Sequence, residues 1–599
     1  MTAGQTIVLA TPLFFALMAL EWWVERRRGQ RRIALGDAIS SLNLGLLSQT
    51  SAVFTALLRL GLYSLAWQHL ALWRNDAFWH SAGGWLLALL LYDFCYYWLH
   101  RMGHEVGILW AAHAVHHQSQ HYNLSTALRQ TSSGALLGWL FYLPMALAGV
   151  PPLVFVVVGL VDLLYQFWVH TEQVGRLGWF DRWFCSPSNH RVHHAVNDDY
   201  LDKNYGGILI LWDRWFDTFR EEDPRQPCIY GTREQLNSWD PLWANAQVYA
   251  GLARNSWHTR RWADKLRVWL KPPGWQPADL ARSQPKPPFE LHQAMALYAP
   301  PMGPALRWFA GWQFALLLAG AAVFLWQAEQ LPPAQATLWF IVLLVSQWAL
   351  AAALQGRIRM GQALMLQSGA LAMACSALQW QPGYYLFKPL AMIFAIILIA
   401  ASQRQMRAKG LFGHETSLHR ATWLLQGALL ASLTGDVLLM LPGLFLPGLV
   451  AFLLAHVCYL LLFAQGLPWL ADRRALWAML AIGLGMYAFL WQGGLPAALR
   501  LPVAAYVLVI ALMAAQALAR HRQLRQPGTL AVALGAGCFM LSDALLATNL
   551  FVQPLPWAQA WVLGSYYAAQ ALILGGMLDY WRAAHPGSSP ADQPRPAGS

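Results

Sequence analysis

The chain has 599 residues, 57% of them apolar and only 12% charged, with 33 tryptophans and a net charge of +12. That is too apolar for an ordinary soluble domain and points to a polytopic membrane protein whose Trp and Tyr crowd the two interfaces. The positive charge sits in short clusters at the ends of apolar stretches, not on a basic surface interleaved with exposed aromatics, which argues against a nucleic-acid partner; the six cysteines (Cys95, Cys185, Cys228, Cys375, Cys458, Cys538) are scattered, with neither a disulfide framework nor a CxxC metal site.

A span needs about 20 mostly apolar residues. In chain order such stretches fall near 5–22, 38–68, 80–99 and 134–169, the last turning back at "GVPP". The first is followed by "ERRRGQRR" (Glu25–Arg32) with no small-residue cleavage site, so it reads as a signal anchor, not a removed leader. From Thr171 to Gly303 the chain is polar, and Leu270–Gln293, rich in Pro, reads as a linker. Apolar stretches resume near 304–327, 335–354, 360–378, 386–402, 421–440, 443–465, 476–491, 500–519, 528–549 and 557–578. The expected fold is all-α and polytopic. Residues 1–269 form a first membrane domain with a polar cap, 270–303 a linker, 304–355 connecting helices, 356–583 a second helical bundle and 584–599 a disordered tail. With Glu25–Arg32 placed in the cytoplasm, counting spans puts "GRIR" (Gly356–Arg359), "RQMRAK" (Arg404–Lys409), "ADRR" (Ala471–Arg474) and "RHRQLR" (Arg520–Arg525) on the same side, along with the histidine-rich segments.

Those segments carry the chemistry. Ten of the 19 histidines lie between His100 and His194. On a helix His100 and His104 stand at i and i+4; His113, His116 and His117 stand at i, i+3 and i+4; His190, His193 and His194 repeat the triple, each set on one face. Eight imidazoles are too many for one ion and fit two ions a few ångströms apart. Imidazole suits zinc, copper, iron and nickel alike. A structural zinc site would close with four ligands, commonly including Cys, whereas neutral nitrogen ligands leave the charge of two iron ions uncompensated and suit dioxygen activation. A metal transporter would need ligands strung along a path through the bilayer, and these lie near one membrane face.

"HRMGH", "HAVHH" and "HRVHH" resemble the three histidine boxes of the fatty acid hydroxylase/sterol desaturase superfamily, integral membrane diiron oxygenases. "DKNYGGILILWDRWFDTF" (Asp202–Phe219) is similar to that superfamily's stretch after the last box. "YNLSTALRQ", "YQFWVHTE" and "YGTREQLNSWDPLWAN" resemble its alkylglycerol monooxygenase branch, over roughly residues 5–300. The resemblance implies His170 as a further ligand, with Gln166 one turn before it, and Glu172 and Asn189 as partners that orient imidazoles. Where related sequences often carry a carboxylate after the second box, this chain has Gln118, Ser119, Gln120 and His121. The implied cofactors are two iron ions, O2, and tetrahydrobiopterin or another electron donor, with a reductase or pterin-recycling partner. The implied reaction removes a hydrogen beside the ether oxygen of a membrane lipid and installs a hydroxyl, giving a hemiacetal that collapses to a fatty aldehyde.

A charge inside a span costs about 2.5–3.5 kcal/mol on insertion scales and usually has a function. The second half holds few: Lys388, Asp436 and Asp543, with His456 and Tyr506 at compatible depth. "KPL", "GDVLLML", "FLLAHVCY", "PVAAYVLVIALM", "FMLSDALLA" and "YYAAQALI" resemble in order the lysoplasmalogenase family of multi-pass hydrolases, over about 360–580. That resemblance implies water addition to a vinyl ether, with one Asp supplying a proton and the other activating water. The expected whole is a bifunctional ether-lipid-degrading enzyme. The alternative is a sterol, fatty acid or carotenoid hydroxylase with a non-catalytic C-terminal membrane module.

Overall fold

The computed structural model describes residues 2–30, 33–408 and 416–584; of the expected tail at 584–599, Ala584 ends the last helix and the rest lies outside the described residues. A backbone in lipid must satisfy its own hydrogen bonds, and the described residues are helical, with no sheet beyond two isolated bridges, Phe184 to Leu209 and Ala195 to Tyr230. Among them eleven helices are long and apolar enough to cross a membrane. The chain divides into two compact units: Met1–Ala336 with Leu350–Gln355, and Thr337–Ala349 with Gly356–Ser599.

In the first unit the stretch expected at 38–68 forms three pieces: a helix at Leu35–Ala56, a π turn at Leu57–Gly61 and a helix at Leu62–Leu70. The stretch at 134–169 is a hairpin with one irregular arm (Gly134–Leu147) and one regular arm (Pro152–Trp168). Its turn is held by Tyr63 Oη donating to Val150 O (2.9 Å) and Trp67 Nε1 donating to Gly149 O (3.0 Å). Gly149 has φ +89°, and a Cβ there would sit 1.8 Å from Trp73 O, so no other residue fits. The regular arm rises about 26 Å, short of the roughly 30 Å hydrocarbon core, so it enters the bilayer without a full straight crossing. The long Ala82–Glu105 helix, capped by Ser81, carries His100 and His104 in its last turns and delivers them to the polar cap.

The Pro-rich stretch 270–303 is no free tether. Gly107 N donates to Lys271 O (3.0 Å), Gln120 Nε2 to Ala296 O (3.0 Å), and Tyr298 N to Gln120 Oε1 (2.8 Å), so the stretch is bonded to the histidine cap. Nor do the helices at 304–355 form a body of their own. Pro304–Gln327 packs on the first helix closely enough that a Cβ on Gly4 would meet Leu325 O at 2.5 Å. Pro333–Leu354 is divided between the two units.

The second unit is a helical bundle. Met360–Ala377, read from the sequence as a span, carries buried Gln362, Gln367 and Ser368. Thr529–Phe551 and Ala558–Ala584 approach through small residues, a Cβ on Gly535 meeting Ala569 O at 3.0 Å, as expected where lipid tails give helices no hydrophobic reason to associate. Buried polar bonds tie the core together: Tyr459 Oη to Gln570 Oε1 (2.5 Å) and Gln570 Nε2 to Ser432 Oγ (3.1 Å).

Candidate functional sites

The structure brings all nine expected histidines of the first unit into two groups. His100, His104, His113, His117 and His193 form one; His116, His170, His190 and His194 form the other, and within each group one ligand atom per residue lies within 4.8 Å of all the rest. The expectation that each HxxHH triple serves one face needs correction. In both triples the i, i+4 pair enters one group and the i+3 residue enters the other. At 100° per residue, i+4 stands 40° ahead of i and i+3 stands 60° behind it, so the two rings point to neighbouring centres. The two triples trade members: His116 joins His190 and His194, while His193 joins His113 and His117.

The tautomers are set by carbonyls and one carboxylate. Nδ1 of His100 lies 2.8 Å from Tyr205 O, that of His193 2.9 Å from Lys203 O, that of His116 3.0 Å from Arg129 O and that of His170 2.8 Å from Gln166 O. His104 Nδ1 faces Asp202 Oδ1 at 3.1 Å. Each acceptor can receive only a proton, so each Nδ1 carries the hydrogen and each Nε2 presents a lone pair. Nε2 of His100, His104 and His193 is buried with no hydrogen-bond partner among the described residues. In the other group two such lone pairs, on His116 and His170, face each other at 3.1 Å. A metal ion between them reconciles that contact. The Nε2 atoms of His170 and His190 (3.0 Å), His190 and His194 (3.2 Å), and His113 and His117 (3.0 Å) show the same spacing. Adjacent ligands about 2.1 Å from one ion and at right angles to each other would stand about 3.0 Å apart. The donor sets therefore fit metal ions. Burial, reinforced by neighbouring imidazoles, pushes the pKa values of His113, His117, His170, His190, His193 and His194 down, and burial puts that of His116 at about 4, keeping these rings in the neutral form that binds a metal.

The loop after the third box supplies the acceptors for His100, His104 and His193. Asp202 and Asn204 sit in the left-handed region (φ 58° and 60°), which these two residue types tolerate. Asn204 Nδ2 donates to Asn189 O (2.9 Å) and Arg220 O (2.7 Å). Asp213, buried, accepts from Tyr205 N (2.7 Å), Gly206 N (2.8 Å) and Thr218 Oγ1 (2.7 Å), and burial raises its pKa to about 6 against the pull of those bonds. Asp93, reaching up from the Ala82–Glu105 helix, accepts from Ile208 N, Leu209 N and Trp212 Nε1. Arg129, wholly buried, donates to Val115 O (2.8 Å) and so holds the loop whose carbonyl orients His116.

Of the two expected orienting residues, Asn189 donates its amide to Asp181 O (3.1 Å) and Phe184 O (3.2 Å), so it shapes the entry to the Pro187–His194 helix and leaves the orienting of rings to others. Glu172 accepts from Tyr230 Oη (3.0 Å); Tyr230 stacks on Tyr122 (4.9 Å), which in turn stacks on His170 (5.6 Å). Arg129, Asp202, Asp213 and Tyr122 receive no individual role in the sequence reading. The polar residues inside "YNLSTALRQ" and "DKNYGGILILWDRWFDTF" are the signal that would have found them. Gln118 and Ser119, standing where relatives often carry a carboxylate, bond to Ala244 O (3.0 Å) and Asp37 Oδ2 (2.7 Å).

In the second unit, five helices bring polar side chains to one cavity of about 720 Å³, otherwise lined mostly by Phe, Leu, Met, Val and Ile, with Tyr384, Ser542 and Gln559. Lys388 Nζ stands 3.4 Å from Asp436 Oδ1, and Tyr566 Oη donates to Asp436 Oδ2 (2.6 Å). Tyr506 Oη donates to Asp543 Oδ2 (2.7 Å). His456, fully buried, is not part of the lining; its Nε2 lies 3.9 Å from Asp543 Oδ2 and its ring packs on Phe539 (4.7 Å). Lys388, Asp436, Tyr506 and Asp543 of the sequence-predicted set thus converge on the cavity, joined by Tyr566, which the sequence offered only as one more polar group in "YYAAQALI". Tyr566 stands one helical turn before Gln570, on the face that packs inward.

Comparison with known proteins matches these two halves separately. The fatty acid hydroxylase family matches residues 85–218, and the YhhN family matches residues 383–577. Alkylglycerol monooxygenase from Homo sapiens is 38% identical over 315 residues, covering 52% of this chain and 69% of the relative; the Xenopus tropicalis protein of that name is 36% identical over 310 residues, covering 52% and 68%. The chain belongs to the alkylglycerol monooxygenase family. It is therefore an integral membrane enzyme of the oxygenase type, and these relatives favour the ether-lipid reading over a sterol, fatty acid or carotenoid hydroxylase. Unlike a chain that ends with the oxygenase, this member of the alkylglycerol monooxygenase family continues into a lysoplasmalogenase-like membrane domain. Lysoplasmalogenase TMEM86B from Homo sapiens is 40% identical over 152 residues, covering 25% of this chain and 62% of the relative. The chain spans about six-tenths of the lysoplasmalogenases it matches. No solved structure matches it.

Proposed function

We propose that the chain is a bifunctional ether-lipid-degrading enzyme. The first unit cleaves the ether bond of alkylglycerol-type lipids and the second hydrolyses the vinyl ether of a lysoplasmalogen-type lipid. Each reaction releases a fatty aldehyde.

The observation that carries the first half is the set of nine imidazoles, five with the Nδ1 proton tied off and Nε2 aimed inward. His100, His104, His113, His117 and His193 would hold one iron ion and His116, His170, His190 and His194 the other. Bound there, two irons supply reductive dioxygen activation and transfer of one oxygen atom to a C–H bond. The overall change is R–CH2–O–R′ + O2 + 2 e⁻ + 2 H⁺ → R–CH(OH)–O–R′ + H2O, and the hemiacetal then separates into aldehyde and glycerol derivative. The two electrons come from tetrahydrobiopterin or another donor, recycled by a reductase. The protein's share is to hold nine rings in place, five of them with the tautomer fixed and eight of them buried, so that water does not compete for the ligands. The positive-inside rule puts this centre at the cytoplasmic face, reached by the lipid sideways from the bilayer.

The second half rests on two carboxylates in one lipid-sized, apolar cavity, the arrangement that acid and base catalysis on a greasy substrate requires. The test is direct. Purified, iron-loaded protein is incubated with alkylglycerol, O2 and tetrahydropterin, and separately with lysoplasmalogen alone, and fatty aldehyde is assayed. Hydroxylation of another lipid without aldehyde from alkylglycerol would refute the first half; lysoplasmalogen left intact would refute the second.

A further inference from the structure

The sequence leaves the two aspartates of the second unit interchangeable, and the structure does not. Asp436 shares its oxygens with an ammonium and a phenol: Lys388 Nζ at 3.4 Å and Tyr566 Oη at 2.6 Å. Lys388 is itself buried and its ammonium lies over the Tyr384 ring (5.5 Å), so it has little alternative to that carboxylate. Asp543 has no such partner. Its hydrogen bond comes from the neutral Tyr506 (2.7 Å), the imidazole of His456 stands off at 3.9 Å, and among the described residues no Lys or Arg lies within ion-pair reach. An isolated carboxylate in an apolar cavity holds its proton, whereas one beside an ammonium gives it up.

We propose that Asp543 is the proton donor and Asp436 the base of vinyl-ether hydrolysis, with Lys388 and Tyr566 as positioning residues that keep Asp436 ionised. The assignment rests on the hydrolase reading of this unit. Asp543–COOH delivers its proton to the carbon β to the ether oxygen, and the C=C π pair forms the new C–H bond, leaving an oxocarbenium. Asp436–COO⁻ takes a proton from water as the water oxygen bonds to the cationic carbon, giving a hemiacetal. Collapse runs in reverse roles. Asp543–COO⁻ takes the hemiacetal hydroxyl proton, the C–O bond to the glycerol oxygen breaks, and Asp436–COOH protonates that oxygen. Vinyl ether and water become aldehyde and alcohol, and both carboxyl groups regain their starting protonation with no outside acid.

The experiment is a pH–rate profile of aldehyde release from lysoplasmalogen by the full-length protein in detergent, for wild type, Asp436→Asn, Asp543→Asn and the two Asp→Glu variants. Wild type should be bell-shaped, since it needs one group ionised and one protonated. Each Asn variant should fall by at least about 10²-fold, the usual share of one acid or base. The residual activity of Asp436→Asn should keep only the alkaline fall, and that of Asp543→Asn only the acid fall; each Glu variant should keep both limbs. Exchanged limbs would overturn the assignment, and unchanged limbs in monodisperse variants would overturn any acid–base role for the pair. If the wild type releases no aldehyde at any pH, it is the hydrolase reading that fails, a result distinct from both.

Discussion

Glu222 has no place among the nine ligands, yet replacing it should disturb them. Its carboxylate takes Arg191 Nε at 2.8 Å, Arg191 Nη2 at 2.7 Å and Ser188 Oγ at 2.7 Å. Arg191 lies on the Pro187–His194 helix between His190 and His193, and its other bonds run to Thr171 O (3.0 Å) and Val174 O (2.8 Å). The two side chains are 8% and 19% exposed, so Glu222→Ala strands a nearly buried guanidinium. Breaking a buried pair costs about 3–5 kcal/mol; the partial exposure of Glu222 favours the lower end, about 3 kcal/mol. At roughly 2 °C per kcal/mol for a large domain, melting should drop by about 6 °C. Because that helix also carries His190, His193 and His194, iron per chain should fall as well. The assay is tryptophan fluorescence on heating in detergent, with iron measured after gel filtration. A shift under about 1 °C with undiminished iron would refute the reasoning. The effect should depend on pH in a defined direction. Burial alone would raise the Glu222 pKa, but the bonds and charge of Arg191 overcome it and hold it below the usual range. The pair's stabilisation is therefore complete above about pH 4.3, the unfolded carboxylate value, and is lost as pH falls through the folded one, so wild type and variant should converge in acid.

Four further outcomes follow from the geometry. His116→Ala and His193→Ala should each cut iron from two per chain towards one, because each removes a ligand from a different group; identical loss of both ions from both variants would argue for a single centre. Dialysis against a ferrous-iron chelator should abolish aldehyde release from alkylglycerol, with activity restored by Fe(II) and not by Zn(II). Gly207→Ala should lower stability by about 1–3 kcal/mol, read as a lower melting temperature, since its Cβ would meet Asp162 Oδ1 at 2.8 Å and Asp93 Oδ1 at 2.9 Å beside the loop that orients three of the rings. Tyr566→Phe removes the 2.6 Å bond to Asp436; at about 1–3 kcal/mol it should slow lysoplasmalogen cleavage roughly 5- to 150-fold and leave alkylglycerol cleavage untouched.

Much of this protein was legible in its residues. Long apolar runs bounded by arginines become helices because a backbone in lipid has no other way to satisfy itself, and the positions of Lys388, Asp436 and Asp543 within them marked a second site for the same reason. The imidazole supply was plain from HxxxH and HxxHH, whose spacing survives as the i, i+4 pairs. The sequence did not disclose which ring serves which centre. His116 and His193 cross to the opposite groups because a 60° offset on a helix becomes a choice only when two such helices face each other. Nor could it disclose the acceptors: the carbonyls of Arg129, Gln166, Lys203 and Tyr205 set four tautomers, and a carbonyl is the same atom pair in every residue. The unequal aspartates belong to the same class, since Lys388 lies 48 positions from Asp436 and Tyr506 lies 37 from Asp543. Residue types and their periods fix what a helix offers; which offers meet is decided by packing between segments far apart in the chain.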